Sequence, residues 1–407
     1  METTFRKRYY WIFLSCLLGP LSTNALIPLF EQLRDNFSLP SVSFISLAFF
    51  IYMFPFAFLQ LFAGTFSDIV DKKQVVLGGY ILFLSGILTC LLSIYLKYYY
   101  LFLLALFIQG LGFALINPTV LAILSIITPK EKEGLIMGIY NSSAGLGIAG
   151  GALLAGLFAN INWRLLFIFN PIITGLSLIL FFYALKNCEV LICRPFDLEE
   201  KQKRKGPLVL KYHVKALKKQ LKENLKKEIL LLGCLGFFCF FTVITLTNTL
   251  NEQMNINIQN LSNLEVANAV SLILTVNGLI SVIISPFSGN LLNKIKPLTM
   301  ILVGFLLMIT ITMLQFSSSI LIFALISFII YLGSVFIWPA LFKKSMDLNP
   351  DAKGTNSAII NSLRFLGYSF VGVFYVIWGI PILYYIVIAF IIISIGIIIT
   401  LKVIITK

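Results

Sequence analysis

Charge is scarce in this chain: only 12% of its 407 residues are Asp, Glu, Lys or Arg, about half the share of a typical soluble domain. That shortage excludes an ordinary soluble enzyme or binding module. Acids are the scarcer sign, 17 against 31 Lys and Arg, and the single histidine, His213, sits among lysines. No Cys/His cluster has metal-ligand spacing, so no metal site is expected. The six cysteines are too few and too scattered for a disulfide scaffold. Cys16, Cys90, Cys234 and Cys239 fall inside apolar runs and Cys188 and Cys193 in a basic segment, and all are expected as free thiols. No cofactor is implied. A net charge of +14 would suggest nucleic acid in a soluble chain, but here the position of each charge decides, and no nucleic-acid partner is expected.

What the chain has instead is apolar length. Hydrophobic residues make up 59% of it, with a mean hydropathy of +0.95. A bilayer core of about 30 Å takes roughly 20 apolar residues per helix. Breaking the sequence at charges and turn residues gives twelve such runs: 9–30, 42–66, 75–96, 99–127, 135–157, 165–185, 229–250, 266–292, 298–316, 320–342, 357–378 and 382–401. Helices are the expected form, because backbone polar groups in lipid must be satisfied within their own segment, and the runs lack the alternation of barrel strands. The fold class is therefore all-α integral membrane.

The first run is too long for a signal-peptide core and no small-residue cleavage site follows it. Arg6, Lys7 and Arg8 then anchor a cytoplasmic N-terminus. With twelve crossings, 27 of the 31 Lys and Arg fall on that side, Arg34, Lys97 and Arg164 fall opposite, and Arg364 lies within a span. Omitting the long central loop leaves the bias in the same direction, so both termini are expected in the cytoplasm of a multi-pass protein.

The only long polar stretch divides the spans six and six, giving expected units 1–187, 188–228 and 229–407. Within the middle unit, Leu210, Val214, Leu217, Leu221 and Leu225 recur at helical spacing between lysines, the pattern of an amphipathic helix on anionic lipid headgroups. The two halves echo each other, an internal repeat of the kind transporters show. Gly64 and Gly79 match Gly289 and Gly304 at an offset of 225. Pro118 and Pro129 match Pro339 and Pro350 at 221, and Gly134, Asn141, Ser142 and Gly147 match Gly354, Asn361, Ser362 and Gly367 at 220.

Between spans two and three lies Gly64-Thr-Phe-Ser-Asp68-Ile-Val-Asp71-Lys72-Lys73. It resembles the cytoplasmic signature loop of the major facilitator superfamily, although Ile69 and Asp71 stand where that family has a basic residue and a glycine. Gly64 would let two helices approach closely and Asp68 would favour a helix N-terminus. Trp163-Arg164 with Phe167, Asn170 and Pro171 is similar to the family's start of span six, where Arg164 would anchor at the interface. Span five, with Ser143, Gly147, Gly151 and Ala155 at four-residue spacing, resembles the drug-efflux antiporter motif, with Gly150-Gly151 in place of Gly-Pro. In span four Gln109-Gly110-Leu-Gly112 looks like the family's Arg-x-x-Gln-Gly element with Leu106 at the arginine position. In span one Asn24 stands where drug antiporters commonly carry a carboxylate. The resemblance covers the whole chain and implies the superfamily fold, twelve transmembrane helices in two six-helix bundles. It also implies gating roles for Gly64, Asp68, Lys72, Lys73, Gly147 and Gly151.

Ionisable groups inside a membrane are functional candidates by default. No acid lies deep in a span, so a proton would have to be carried by a rim acid, Glu31 or Glu265, or with help from Asp68; otherwise the protein is a facilitator. Arg364 lies about 15 Å into span eleven, at a cost of ~2.5 to 3.5 kcal/mol unless it faces a cavity or partner. Both a substrate contact and a structural pairing fit it. Polar and aromatic residues at helical spacing complete a candidate substrate cavity: Asn24, Tyr52, Phe56, Gln109, Phe113, Asn117, Asn248, Asn268, Asn277, Trp338 and Tyr368. Such a lining suits amphiphilic solutes.

The leading expectation is a secondary transporter working by alternating access, of the drug-efflux type and coupled to protons, in the plasma membrane and as a monomer among lipids. The alternative is a facilitator or symporter for a metabolite or organic anion held by Arg364. A receptor on a transporter fold is the third reading. No His, Cys and carboxylate constellation converges at bilayer depth, so an enzyme is not expected.

Overall fold

A computed structural model describes residues 7–69, 71–129, 133–186, 226–258, 261–292, 294–348, 353–377 and 382–405, with some side chains inside the helices excepted. These residues form twelve helices: α1 (Lys7–Asn36), α2 (Ser43–Ile69), α3 (Lys72–Leu96), α4 (Tyr99–Ile127), α5 (Glu133–Ala159), α6 (Leu165–Ala184), α7 (Lys227–Asn257), α8 (Asn263–Leu291), α9 (Pro297–Phe316), α10 (Ile320–Leu348), α11 (Lys353–Ile377) and α12 (Ile382–Ile405). Ten are long and apolar enough to cross a bilayer, and α11 and α12 carry the shorter apolar stretches Ile359–Val373 and Val387–Thr400. The expected linker lies outside the described residues from 187 to 225, and with it His213, Cys188, Cys193 and most of the amphipathic stretch.

Several helices outlast their apolar runs. The run of α1 breaks at Glu31, yet the helix continues to Asn36 because Glu31 and Arg34 pair one turn apart and Arg34 also binds Asp35. Paired charges at a helix end need not terminate it. Inside α1, Asn24 Nδ2 donates to the Pro20 carbonyl at 2.8 Å and Thr23 Oγ1 to Gly19 at 3.0 Å. The helix then gives way to a 3-10 turn at Ile27–Leu29, opened by Pro28. Side chains that bond their own backbone compete with the helical ladder, and proline lacks the donor to restore it.

The packing repeats between the first six helices and the second six. Helix α1 packs on α5 as α7 packs on α11, α2 on α4 as α8 on α10, α3 on α4 as α9 on α10, and α3 on α6 as α9 on α12. Individual contacts repeat at the sequence offsets. A Cβ on Gly147 would press the Leu17 carbonyl, and one on Gly367 the Phe237 carbonyl, both 220 residues on. Gly79 and Gly112 approach each other as Gly304 and Gly333 do. Small residues let backbones close in where lipid supplies no hydrophobic drive for association.

The halves join through α2 on α11 and α5 on α8. Gly145 lies against Gly278 and Gly156 against Ser271, while Gly372 abuts the Ser46 carbonyl. Call the end of the bundle that carries both termini the near end and the opposite one the far end. The far end is tied across the halves: Asn160 and Asn268 exchange amide hydrogen bonds at 2.8 and 3.1 Å, Asn251 donates to the Ile27 carbonyl at 2.7 Å, and Asn255 donates to Glu31 at 3.1 Å.

Candidate functional site

Between the two halves, at mid-depth, the aromatic and polar side chains of α1, α2, α4, α5, α7, α10 and α11 converge. Arg364 is the twelfth residue of the 25-residue α11, which places it ~17 Å from the near end of that helix. Its guanidinium carbon lies 3.7 Å from the centroid of the Trp338 ring, 4.1 Å from Phe240 and 4.6 Å from Phe365. Each such face is worth about 0.5 to 2 kcal/mol to a desolvated cation, so three rings offset an insertion cost of the order quoted above. The rings supply no acceptor lone pair. Among the described residues Arg364 has no ion pair, and its Nε is enclosed without a hydrogen-bond partner. The residue as a whole is half-buried. The arrangement holds a cation in place and oriented while leaving its donors uncommitted.

An aromatic path leads from this cation into the first half. Phe365 meets Phe56 edge-on at 4.6 Å, Phe56 stacks on Phe113 at 5.2 Å, and Phe113 reaches Phe83 at 6.1 Å. Gly19 of α1 makes room for the Phe113 ring, since a Cβ there would collide with it. Tyr140 of α5 donates to Asn117 Oδ1 at 2.9 Å and lies within electrostatic reach of Arg364, as do Cys239 and Tyr368. One turn beyond Arg364 on the far-end side, the Tyr368 hydroxyl reaches Thr23 and Asn24 of α1, and Tyr52 and Tyr331 lie close to it.

Of the residues singled out by sequence, Asn24, Tyr52, Phe56, Phe113, Asn117, Trp338, Arg364 and Tyr368 share this locus. Asn248 lies three residues before Asn251, one turn beneath the far-end ties. Others lie elsewhere. Gln109 packs its Cγ against Gly86 of α3, Asn268 belongs to the far-end pair with Asn160, and Asn277 sits on α8 beside Gly278, which meets α5. Gly147 and Gly151 seat α5 on α1, at the Leu17 and Leu21 carbonyls. Glu265 is exposed and closes a capping box with Ser262, and Glu31 is buried between Arg34 and Asn255. Lys72 is buried, and Lys73 Nζ donates to the Leu185 carbonyl at 3.2 Å, tying α3 to the end of α6. Gly64 lies on α2, and the Asp68 side chain is outside what is described. Arg164 donates to Asn36 at 3.1 Å and covers Trp163, an anchor between α6 and α1.

Sequence reasoning missed Tyr140, Cys239, Phe240 and Phe365. Two had a signal: Phe365 adjoins Arg364, and Phe240 belongs to the run Phe237-Phe238-Cys239-Phe240-Phe241.

A family model described as Major Facilitator Superfamily matches residues 12–372. The chain belongs to that superfamily. It is a multi-pass integral membrane protein and a secondary transporter of this type, a carrier rather than an enzyme. The solved structure of a POT family transporter in complex with 5-aminolevulinic acid superposes with a TM-score of 0.76 over 99% of this chain and 97% of that one, at 15% identity, a likeness of fold. In sequence, the chain is similar to the glucose-6-phosphate exchanger SLC37A2 of Xenopus laevis, 30% identical over 159 residues, 37% of this chain and 31% of the relative. It is also similar to citrate exporter 1 of Aspergillus niger, 26% identical over 167 residues, 41% of this chain and 31% of the relative. The matches thus span under a third of the length of these curated relatives.

Proposed function

We propose that this superfamily member carries a small organic anion, a phosphorylated or carboxylated metabolite, by alternating access between its two halves. The observation that carries this reading is Arg364, the one cation that the described residues place at mid-depth, clamped by Phe240, Trp338 and Phe365 and paired with no carboxylate. A guanidinium presents a planar fork that matches carboxylate and phosphate oxygens. The relatives' names point the same way, since glucose-6-phosphate and citrate are both anions. Drug-type efflux rested on the span-five glycines and the span-two loop, and the described glycines of that motif, Gly147 and Gly151, serve the contact with α1.

In this reading the near end, rich in Lys and Arg, faces the cytoplasm of a cell whose plasma membrane holds the carrier as a monomer. The far-end ties then make the structure inward-facing. Of the acids that could move a proton, Glu265 is committed to its capping box and Glu31 to Arg34 and Asn255, which favours exchange or facilitated flux over proton coupling through these two.

Proteoliposomes test it. Flux of glucose-6-phosphate, citrate, neutral sugars and cationic dyes is compared with and without a pH gradient. The expected outcome is anion flux that survives collapse of the gradient and is lost in Arg364→Gln. Dye transport with no anion flux would return the drug-efflux reading, and a blank across all solutes would favour the receptor.

A further inference from the structure

Resting on the anion reading, we infer that the solute has one anionic end and a hydroxyl-bearing body beside it, as a sugar phosphate does, and that Asn248 and Tyr52 read the body. The first ground is charge. Among the described residues the central cluster offers a single cation, so a solute charged at both ends would leave part of its charge in a low-dielectric site without a partner. The second ground is a set of buried polar groups with no protein partner. Asn248 is 1% exposed and leaves both its Nδ2 and its Oδ1 unpaired, and Tyr52 is fully buried with its hydroxyl unpaired. Leaving a buried amide or hydroxyl unsatisfied costs about 1 to 3 kcal/mol, so such groups mark places where a polar ligand docks.

The third ground is position. Tyr52 adjoins Tyr368, which is one helical turn from Arg364, and four residues at 1.5 Å separate the two levels by ~6 Å. Asn248 lies one turn beneath Asn251, whose bond to Ile27 closes the far end. Asn24, three residues before Ile27 on the opposing helix, holds the same level and is reached by the Tyr368 hydroxyl. The cluster is therefore layered along the bundle: a guanidinium framed by rings, then a hydroxyl and amide layer one turn above it, then the far-end ties. A phosphate on Arg364 would put the ring hydroxyls of a hexose at the Tyr52 and Asn248 level. Asn248, with both donor and acceptor free, suits a hydroxyl, which is itself both.

Trp338, in contact with the guanidinium, supplies the assay. The purified full-length chain is titrated with glucose-6-phosphate, methyl phosphate and citrate, following the part of the tryptophan emission that Trp338→Phe abolishes. Glucose-6-phosphate is expected to bind at least tenfold more tightly than methyl phosphate, and citrate more weakly than glucose-6-phosphate. Asn248→Leu and Tyr52→Phe are expected to shrink the ratio of glucose-6-phosphate to methyl phosphate affinity toward one. If none of the three anions binds, the anion reading itself fails. If they bind but methyl phosphate equals glucose-6-phosphate, or citrate binds tightest, the anion reading stands and the hydroxyl-layer inference is overturned. The comparison in the unaltered chain decides even where a variant fails to fold.

Discussion

Replacing Gly79 by alanine is expected to loosen the first half of the protein, whereas the same change at its neighbour Gly78 is expected to firm it. A Cβ at Gly79 would lie 2.8 Å from Ile116 Cγ1, 2.9 Å from the Gly112 carbonyl oxygen and 3.1 Å from Leu115 Cβ, while at Gly78 nothing lies within 4 Å. Both substitutions gain roughly 0.5 to 1 kcal/mol because glycine is unfavourable inside a helix. At Gly79 that gain meets an overpacking cost of about 1 to 3 kcal/mol, and a backbone carbonyl cannot swing aside as a side chain can. The two variants should thus differ by ~1 to 3 kcal/mol. Membrane-protein unfolding is commonly irreversible, so the comparison is the apparent thermal midpoint of the purified chain in one detergent at one scan rate. Gly304, at the matching position of the second half, meets the Gly333 carbonyl oxygen at 2.7 Å, and Gly304→Ala should behave like Gly79→Ala. A midpoint for Gly79→Ala equal to or above that of Gly78→Ala would refute both the close α3–α4 approach and its repetition.

Three further outcomes are expected. Arg364→Lys keeps the charge but loses the planar stack and fork, so anion affinity should fall ~10-fold, against ~100-fold for Arg364→Gln, within the 1.5 to 3 kcal/mol of a charged hydrogen bond; equal losses in a binding titration would sink the role given to the rings. Asn268→Ala removes the reciprocal bonds to Asn160, about 1 kcal/mol, and should raise the far-end-open population several-fold, read as a longer distance between spin labels at the far ends of α5 and α8. Tyr80→Phe breaks the buried links to Ser15 at 2.8 Å and Ser177 at 2.7 Å and should cost ~1 to 2 kcal/mol; an unchanged thermal midpoint would show that the three hydroxyls are dispensable.

The twelve helices and the repeat were legible because lipid imposes them: apolar length and backbone satisfaction leave few alternatives. Arg364 was legible for the same reason, since a cation at mid-depth has no bland explanation. What surrounds it was not. With 37 phenylalanines in the chain, nothing in sequence separates Phe240 and Phe365 from rings that face lipid. Periodicity assigns a residue to a helical face but not to the neighbour which that face meets. Gln109 and Phe113 were read as one stripe, yet Gln109 lies against α3 while Phe113 turns to α1 and α2. Helix α5 likewise has two small-residue faces, Gly147 and Gly151 toward α1 and Gly145 and Gly156 toward α8, and sequence spacing alone could not say which face met which helix.

The repeat also bears on the site by where it fails. At the offsets that superpose the packing glycines, 225 for α2, 221 for α4 and 220 for α5, the residues of the central cluster do not match. Arg364 corresponds to Ala144, Tyr368 to Ile148, Trp338 to Asn117 and Tyr52 to Asn277. The contacts that let the two halves move as similar bodies are thus kept on both sides, while the groups that face the middle differ. A site on a pseudo-two-fold axis lined by matched residues would suit a symmetric solute or a pair of like charges. One that holds a guanidinium in the second half and an Asn117–Tyr140 pair opposite it in the first favours a solute whose two ends differ in chemistry. That asymmetry is independent of the unpaired Asn248 and Tyr52, and it argues for the same polarity of the bound molecule, with its anionic end toward α11 and its hydroxyl-bearing body toward the far end.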